Sequence, residues 1–184
     1  MYRDIAPFDP ETILQDEWLN SRGAIARFDR HAIEIRVLDT QESPPADLAI
    51  ATIIVSVLKS LVAGLWMDPQ RLSAISTAEL AEMLLDFINN ADEGIIHKRN
   101  FLEMFAFPDK KCSGREFWQY LRESVALDDD PVLDAALNTI LDHGPLARRI
   151  LLATGREVKQ PRLEEVYRRL SECLAEGEIF RGID

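Results

Sequence analysis

Cysteine is scarce in this chain: Cys112 and Cys173 are too few and too far apart for a disulfide framework or a cysteine-rich zinc site. Both read as reduced, buried residues of a cytosolic protein. Histidine is nearly as rare, and His31, His97 and His143 are scattered without metal-ligand spacing, so each reads as structural or exposed. There is no glycine-rich phosphate loop, no Gly-x-Ser-x-Gly elbow and no Cys/His nucleophile pairing. The opening Met-Tyr-Arg-Asp-Ile-Ala-Pro-Phe-Asp-Pro has no apolar signal region, which argues for a cytoplasmic location. Internal repeats and low-complexity tracts are also lacking. Positive charge is the minority, with 21 Lys and Arg against 32 Asp and Glu, a formal net charge of −11. That balance repels nucleic acid and anionic membrane, although a local basic patch can still seat a nucleotide.

What remains, 47% hydrophobic and 29% charged residues in 184, is an ordinary globular composition long enough for a real core. The most informative stretch is Ala32 to Thr40, where apolar and charged residues alternate. In a strand Ile33, Ile35 and Val37 face one way, toward a core, and Glu34 and Arg36 the other. The preceding Arg22 to Phe28 is also strand-like, and a two-residue loop at Asp29-Arg30 makes the pair an antiparallel hairpin over 22–39. Phe28 then pairs with His31 and Arg27 with Ala32, which sets Arg27 on the Glu34/Arg36 face. Two guanidiniums and a carboxylate on one ribbon suit phosphate and a metal ion. The same alternation also describes a merely solvated face.

The run Arg-Gly-Ala-Ile-Ala-Arg-Phe-Asp-Arg-His-Ala-Ile-Glu-Ile-Arg-Val-Leu-Asp-Thr-Gln-Glu, followed by a long apolar helix, resembles the late strand region of the glutamate-cysteine ligase superfamily. The likeness is to its bacterial carboxylate-amine ligase branch and is sharp over residues 20–48. It implies an ATP-dependent ligase that joins glutamate to an amine such as cysteine through an acyl phosphate, as in glutathione biosynthesis. By the resemblance Glu34 is a Mg²⁺ ligand and Arg36 contacts phosphate or substrate; Arg27, on the same face, is a further candidate to clamp phosphate or carboxylate and, with Arg36, to bind ATP. It also implies a C-terminal portion of the glutamine synthetase-like ligase fold. The family's early glutamate-bearing strands have no counterpart before Asp9, so the expectation is no turnover from this chain alone. The protein partner is then a second copy or a missing N-terminal half. The alternative is a non-catalytic helical interaction module that keeps the hairpin for structural reasons.

The remaining pattern is α+β and mostly α, read as one domain over 1–184. Residues 1–10 are expected to be extended; Asp9 then caps a short helix to about Asn20, with Ile13, Leu14 and Trp18 inward. Residues 46–67 form a helix long and apolar enough to raise a membrane span. Asp47, Lys59 and Ser60 interrupt it, so it reads as a core helix packed on the hairpin. A helical part follows to residue 176. Ser76 and Glu79 form a capping box for a helix to Ala91 with Leu80, Met83, Leu84, Phe87 and Ile88 as its apolar face. Residues 92–112 show no clean period. Ser113 caps a helix bearing Phe117, Trp118 and Leu121, and Asp128 to Asp130 open another. A short helix covers 146–153, and Pro161 starts the last one, to about Ala175. Arg148-Arg149 and Arg168-Arg169 read as dipole-complementing pairs near helix C-termini, and Lys98 and Arg99 as candidates to line a groove.

Overall fold

A computed structural model describes residues 2–14, 23–67, 75–127 and 129–183. The chain divides into two compact units, Met1–Thr40 and Gln41–Asp184. About 61% of it is helical, so α+β with helix dominant describes it.

The first unit does not begin with the expected extended segment. Tyr2–Ile5 form one helical turn (α1), and Ala6–Phe8 continue as a 3₁₀ turn with Pro7 at a position that needs no amide hydrogen. Asp9 is buried and accepts from the amides of Ile13 and Leu14, both at 2.9 Å. Residues 10–14 are turns and not helix, and the rest of the expected helix, with Trp18, lies outside the described residues.

The hairpin consists of β1 (Ala24–Arg27) and β2 (Ala32–Ile35), antiparallel, with Arg27 opposite Ala32 and Ile25 opposite Glu34. Its loop is longer than expected. Phe28–Arg30 make a 3₁₀ turn and His31 is left-handed at φ 50°, so four residues connect the strands while the expected register is kept. The Arg36 amide donates to Gly23 at 2.8 Å and prolongs the ladder. The expected core face is not buried: Ile33 is 60% and Val37 56% exposed. A two-stranded ribbon encloses nothing by itself.

In the second unit α2 (Pro44–Val62) starts on two prolines, whose missing amides cost a helix nothing in its first turn. Ala46, Ala49, Ile53 and Val57 form its buried stripe, which lies in the main core and packs against α6 (Pro131–His143), where Ala136, Leu137 and Leu141 are buried. By length and composition α2 is also long and apolar enough to cross a membrane. The partner shown for its buried face is α6, a neighbour that sequence periodicity did not indicate.

α3 (Thr77–Asn90) buries Met83 alone, and the expected inward Leu84 and Ile88 are exposed. Ser76 makes no side-chain cap bond. Residues 92–112, without a clean period, hold β3 (Ile95–Ile96), α4 (Arg99–Met104) and the start of β4 (Cys112–Ser113). β3 and β4 pair antiparallel, a second small sheet that two-residue strands cannot announce through alternation. Gly94 lets this turn lie against α3, because a Cβ there would fall 2.6 Å from the Phe87 ring.

Ser113 caps α5 (Gly114–Ser124) in a complete capping box with Glu116. Its Phe117 meets Phe105 edge-on at 5.1 Å, while Phe101 and Phe107 complete an aromatic knot. Trp118 on the same helix is 37% exposed. Asp130 caps α6 through the amides of Val132 and Leu133; Asp128 lies outside the described residues.

α7 (Leu146–Thr154), α8 (Gln160–Glu176) and the tail after it build a smaller core from Ala153, Val166, Cys173 and Phe180. Both cysteines are buried free thiols, and desolvation pushes Cys112 up to about 11. Arg148 and Arg149 lie in the first turn of α7, not near a C-terminus, so they oppose the dipole there and owe their place to other partners.

Those partners are acids far away in sequence. Arg149 and Glu42, 107 residues apart, form an ion pair with side chains 2% and 0% exposed. The Arg149 Nε donates to the Gly144 carbonyl at 3.1 Å and its Nη1 to the Phe180 carbonyl, while the Phe180 amide donates to Glu42 Oε1 at 3.0 Å. Removing one member of a buried pair strands the other. Arg149→Met or Glu42→Leu alone is expected to lower unfolding free energy by about 3–5 kcal/mol in urea, and the double variant by less than the sum.

Candidate functional site

The hairpin register explains how the three sequence-selected residues meet. Arg27, Ile25, Ala32, Glu34 and Arg36 share one face. Glu34 receives a guanidinium on each oxygen: Arg36 Nε lies 2.7 Å from Oε1 and Arg27 Nη1 2.9 Å from Oε2. Arg27 also pairs through Nε with Asp29 at 3.3 Å, and Arg30 approaches the same carboxylate at 3.4 Å. The Arg36 and Arg27 hydrogen bonds hold the Glu34 carboxyl below its usual range, and Arg27 does the same for Asp29. The Arg27 side chain is only 12% exposed, so the ionic face is better covered than the apolar edge of the same ribbon.

This arrangement is a preformed array of two cations around one anion. Each Glu34 oxygen accepts one hydrogen bond and keeps a second lone pair. Among the described residues no three His, Cys, Asp or Glu side chains converge on a point. A Mg²⁺ ion at Glu34 would therefore draw its other ligands from phosphate oxygens and water, which is how this ion is commonly held in phosphate-bearing sites. One carboxylate with a guanidinium on each oxygen does not by itself fit a bare ion.

The other sequence candidates resolve into ordinary ion pairs. Lys98 binds Glu82 at 2.6 Å, and Arg99 binds Glu103 one turn along α4. Arg168 pairs with Glu172 in mid-α8, and Arg169 reaches Glu178 at 2.8 Å. His31 and His97 are exposed.

A second charged assembly escaped sequence reading because its members are spread over 57 positions. Asp92, just after α3, takes Arg115 from α5 on one oxygen and Arg148 from α7 on the other. Arg115 Nη1 also donates to the Asp142 carbonyl at 2.6 Å, and Arg148 Nη2 to the Asn90 carbonyl at 2.9 Å. Burial pushes the Asp92 carboxyl up, and the Arg148 and Arg115 hydrogen bonds outweigh it, leaving the group below its ordinary value. Beside this network lies a cavity of about 440 Å³, walled by Arg115, His143, Arg148, Arg149 and the C-terminal tail.

The chain matches no protein-family model and no solved structure. It is 25% identical over 169 residues to an uncharacterized protein of Archaeoglobus fulgidus, covering 91% of this chain and 39% of that relative. The chain thus spans about two fifths of the length of the curated relative it matches.

Asp92 gives a pH-dependent test. A carboxyl depressed by folding contributes its full stability above its unfolded value of 3.8 and loses it as pH falls through the lower folded value. Asp92→Asn is expected to destabilise by about 1–3 kcal/mol at neutral pH. Urea unfolding of both proteins from pH 7 downward should show this gap closing in acid.

Proposed function

We propose that this chain is part of an ATP-dependent carboxylate-amine ligase of glutamate-cysteine ligase type, the role its hairpin sequence resembles. One observation carries the reading: Arg27, Glu34 and Arg36 converge on one face of an antiparallel ribbon, within 2.9 Å contacts, in the Ile-Glu-Ile-Arg-Val context of that resemblance. Among the described residues the ribbon has two strands, and the chain covers 39% of the length of its longer relative. Both fit a sheet whose other strands lie elsewhere in the enzyme.

In this reading the guanidiniums of Arg27 and Arg36 face triphosphate and carboxylate oxygens, for which their forked donors are shaped. Mg²⁺ supplies neutralisation of the phosphate charge. The γ-phosphoryl group passes from ATP to the glutamate γ-carboxylate with ADP leaving, and the amine then displaces phosphate to form the amide. The chain contributes positioning and charge compensation, and acceleration from such groups depends on their being held before the substrate arrives. The mutual ion pairs of the hairpin do that holding. With one carboxylate the array binds Mg·ATP weakly and is inactive without the acids of the early strands.

A second reading, a non-catalytic helical interaction module, is favoured by the double occupation of Glu34. The two are separated by titrating Mg·ATP into the chain and following backbone amides by NMR. The ligase reading expects saturable shifts at Arg27, Glu34 and Arg36 with a Kd of about 1 mM, lost in Arg36→Ala and made independent of Mg²⁺ in Glu34→Gln. A hairpin that does not respond at about 10 mM nucleotide contradicts it.

A further inference from the structure

The cavity beside Asp92 plays no part in the hairpin chemistry, and its wall has an unusual charge arrangement. Arg149 is consumed by Glu42, and Arg115 and Arg148 are consumed largely by Asp92. Their ion pairs fix these three side chains along the floor of the cavity. Two further basic side chains reach the same cavity, Arg181 from the tail and His143 from the end of α6, and neither has a hydrogen-bond or ion-pair partner among the described residues.

Arg181 is not placed by chance. The residue before it, Phe180, is 1% exposed, with its amide on Glu42 and its carbonyl on Arg149. Two residues further, the Ile183 carbonyl accepts from Arg162 Nη2 at 3.2 Å. The backbone is thus pinned on both sides of Arg181, whose exposed side chain lines the cavity. Holding a cation ready in this way lowers the ordering cost of binding an anion.

We infer that this cavity binds a small phosphate-bearing molecule, with its phosphate between Arg181, His143 and the Arg115/Arg148 floor. A volume of about 440 Å³ lies in the usual range for small-molecule sites, roughly 300–1,000 Å³, and so holds more than the phosphate itself. Leu152 and Ala153 give the rest of the molecule an apolar wall. Two acids also line the cavity. Glu93 is engaged by Arg148 at 3.3 Å, whereas the Asp142 carboxylate has no cation partner among the described residues and opposes the anion. The site therefore makes predictions of opposite sign from two neighbouring wall residues.

The experiment is calorimetric titration of the chain with glycerol 3-phosphate and, separately, with inorganic phosphate. The phosphomonoester is expected to bind more tightly than the bare ion. Arg181→Met should weaken binding on the order of tenfold through loss of a charge-assisted bond, and Asp142→Asn should strengthen it about threefold by removing a like charge. Arg27→Ala and Arg36→Ala should leave it unchanged, which separates this site from the hairpin. Absence of saturable binding at about 10 mM, or the same affinity in Arg181→Met, overturns the inference. Equal affinity for the two probes overturns the ester and reassigns the site to inorganic phosphate.

Discussion

The buried pairing of Arg149 with Glu42 is the constraint on which the second unit depends. Charges are rarely taken from water without full compensation. Here the carboxylate accepts from Arg149 and the Phe180 amide, and the guanidinium also donates to two carbonyls. Three segments remote in sequence, the lead-in to α2, the first turn of α7 and the tail, are thereby given one arrangement. Apolar packing around Phe180, Val166 and Cys173 supplies the bulk attraction, while the pair specifies which surfaces meet.

The same device recurs at smaller scale. Asp92 gathers α5 and α7 at the end of α3 as Glu42 gathers α7 and the tail. In the hairpin, Glu34 joins two arginines across the strands. In all three places one carboxylate fixes the position of at least one guanidinium.

Local chemistry was readable from the sequence, and remote pairing was not. Strand alternation and the position of the loop gave the register of β1 on β2, and with it the convergence of Arg27, Glu34 and Arg36. Ser113 and Asp130 act as caps because capping needs only neighbours within a turn. The β3 and β4 strands were invisible because two residues carry no period. Glu42, Asp92 and Arg149 looked unremarkable because their roles rest on partners 23 to 138 residues away. Arg148 and Arg149 lie in the first turn of α7, where a cation opposes the helix dipole, so dipole complementation does not account for them. The apolar face of β2 followed the correct period, yet Ile33 stays exposed, since alternation says which residues share a face and not what covers it.

The most direct test of this account is native-state hydrogen exchange at the Phe180 amide, which donates to Glu42. If the buried pair ties the tail to the helical unit, this amide exchanges only through global unfolding, with the same free energy as the amides of Ala136 and Leu137 in α6. Exchange of Phe180 at the rate of a frayed terminus, with α6 still protected, would contradict the account.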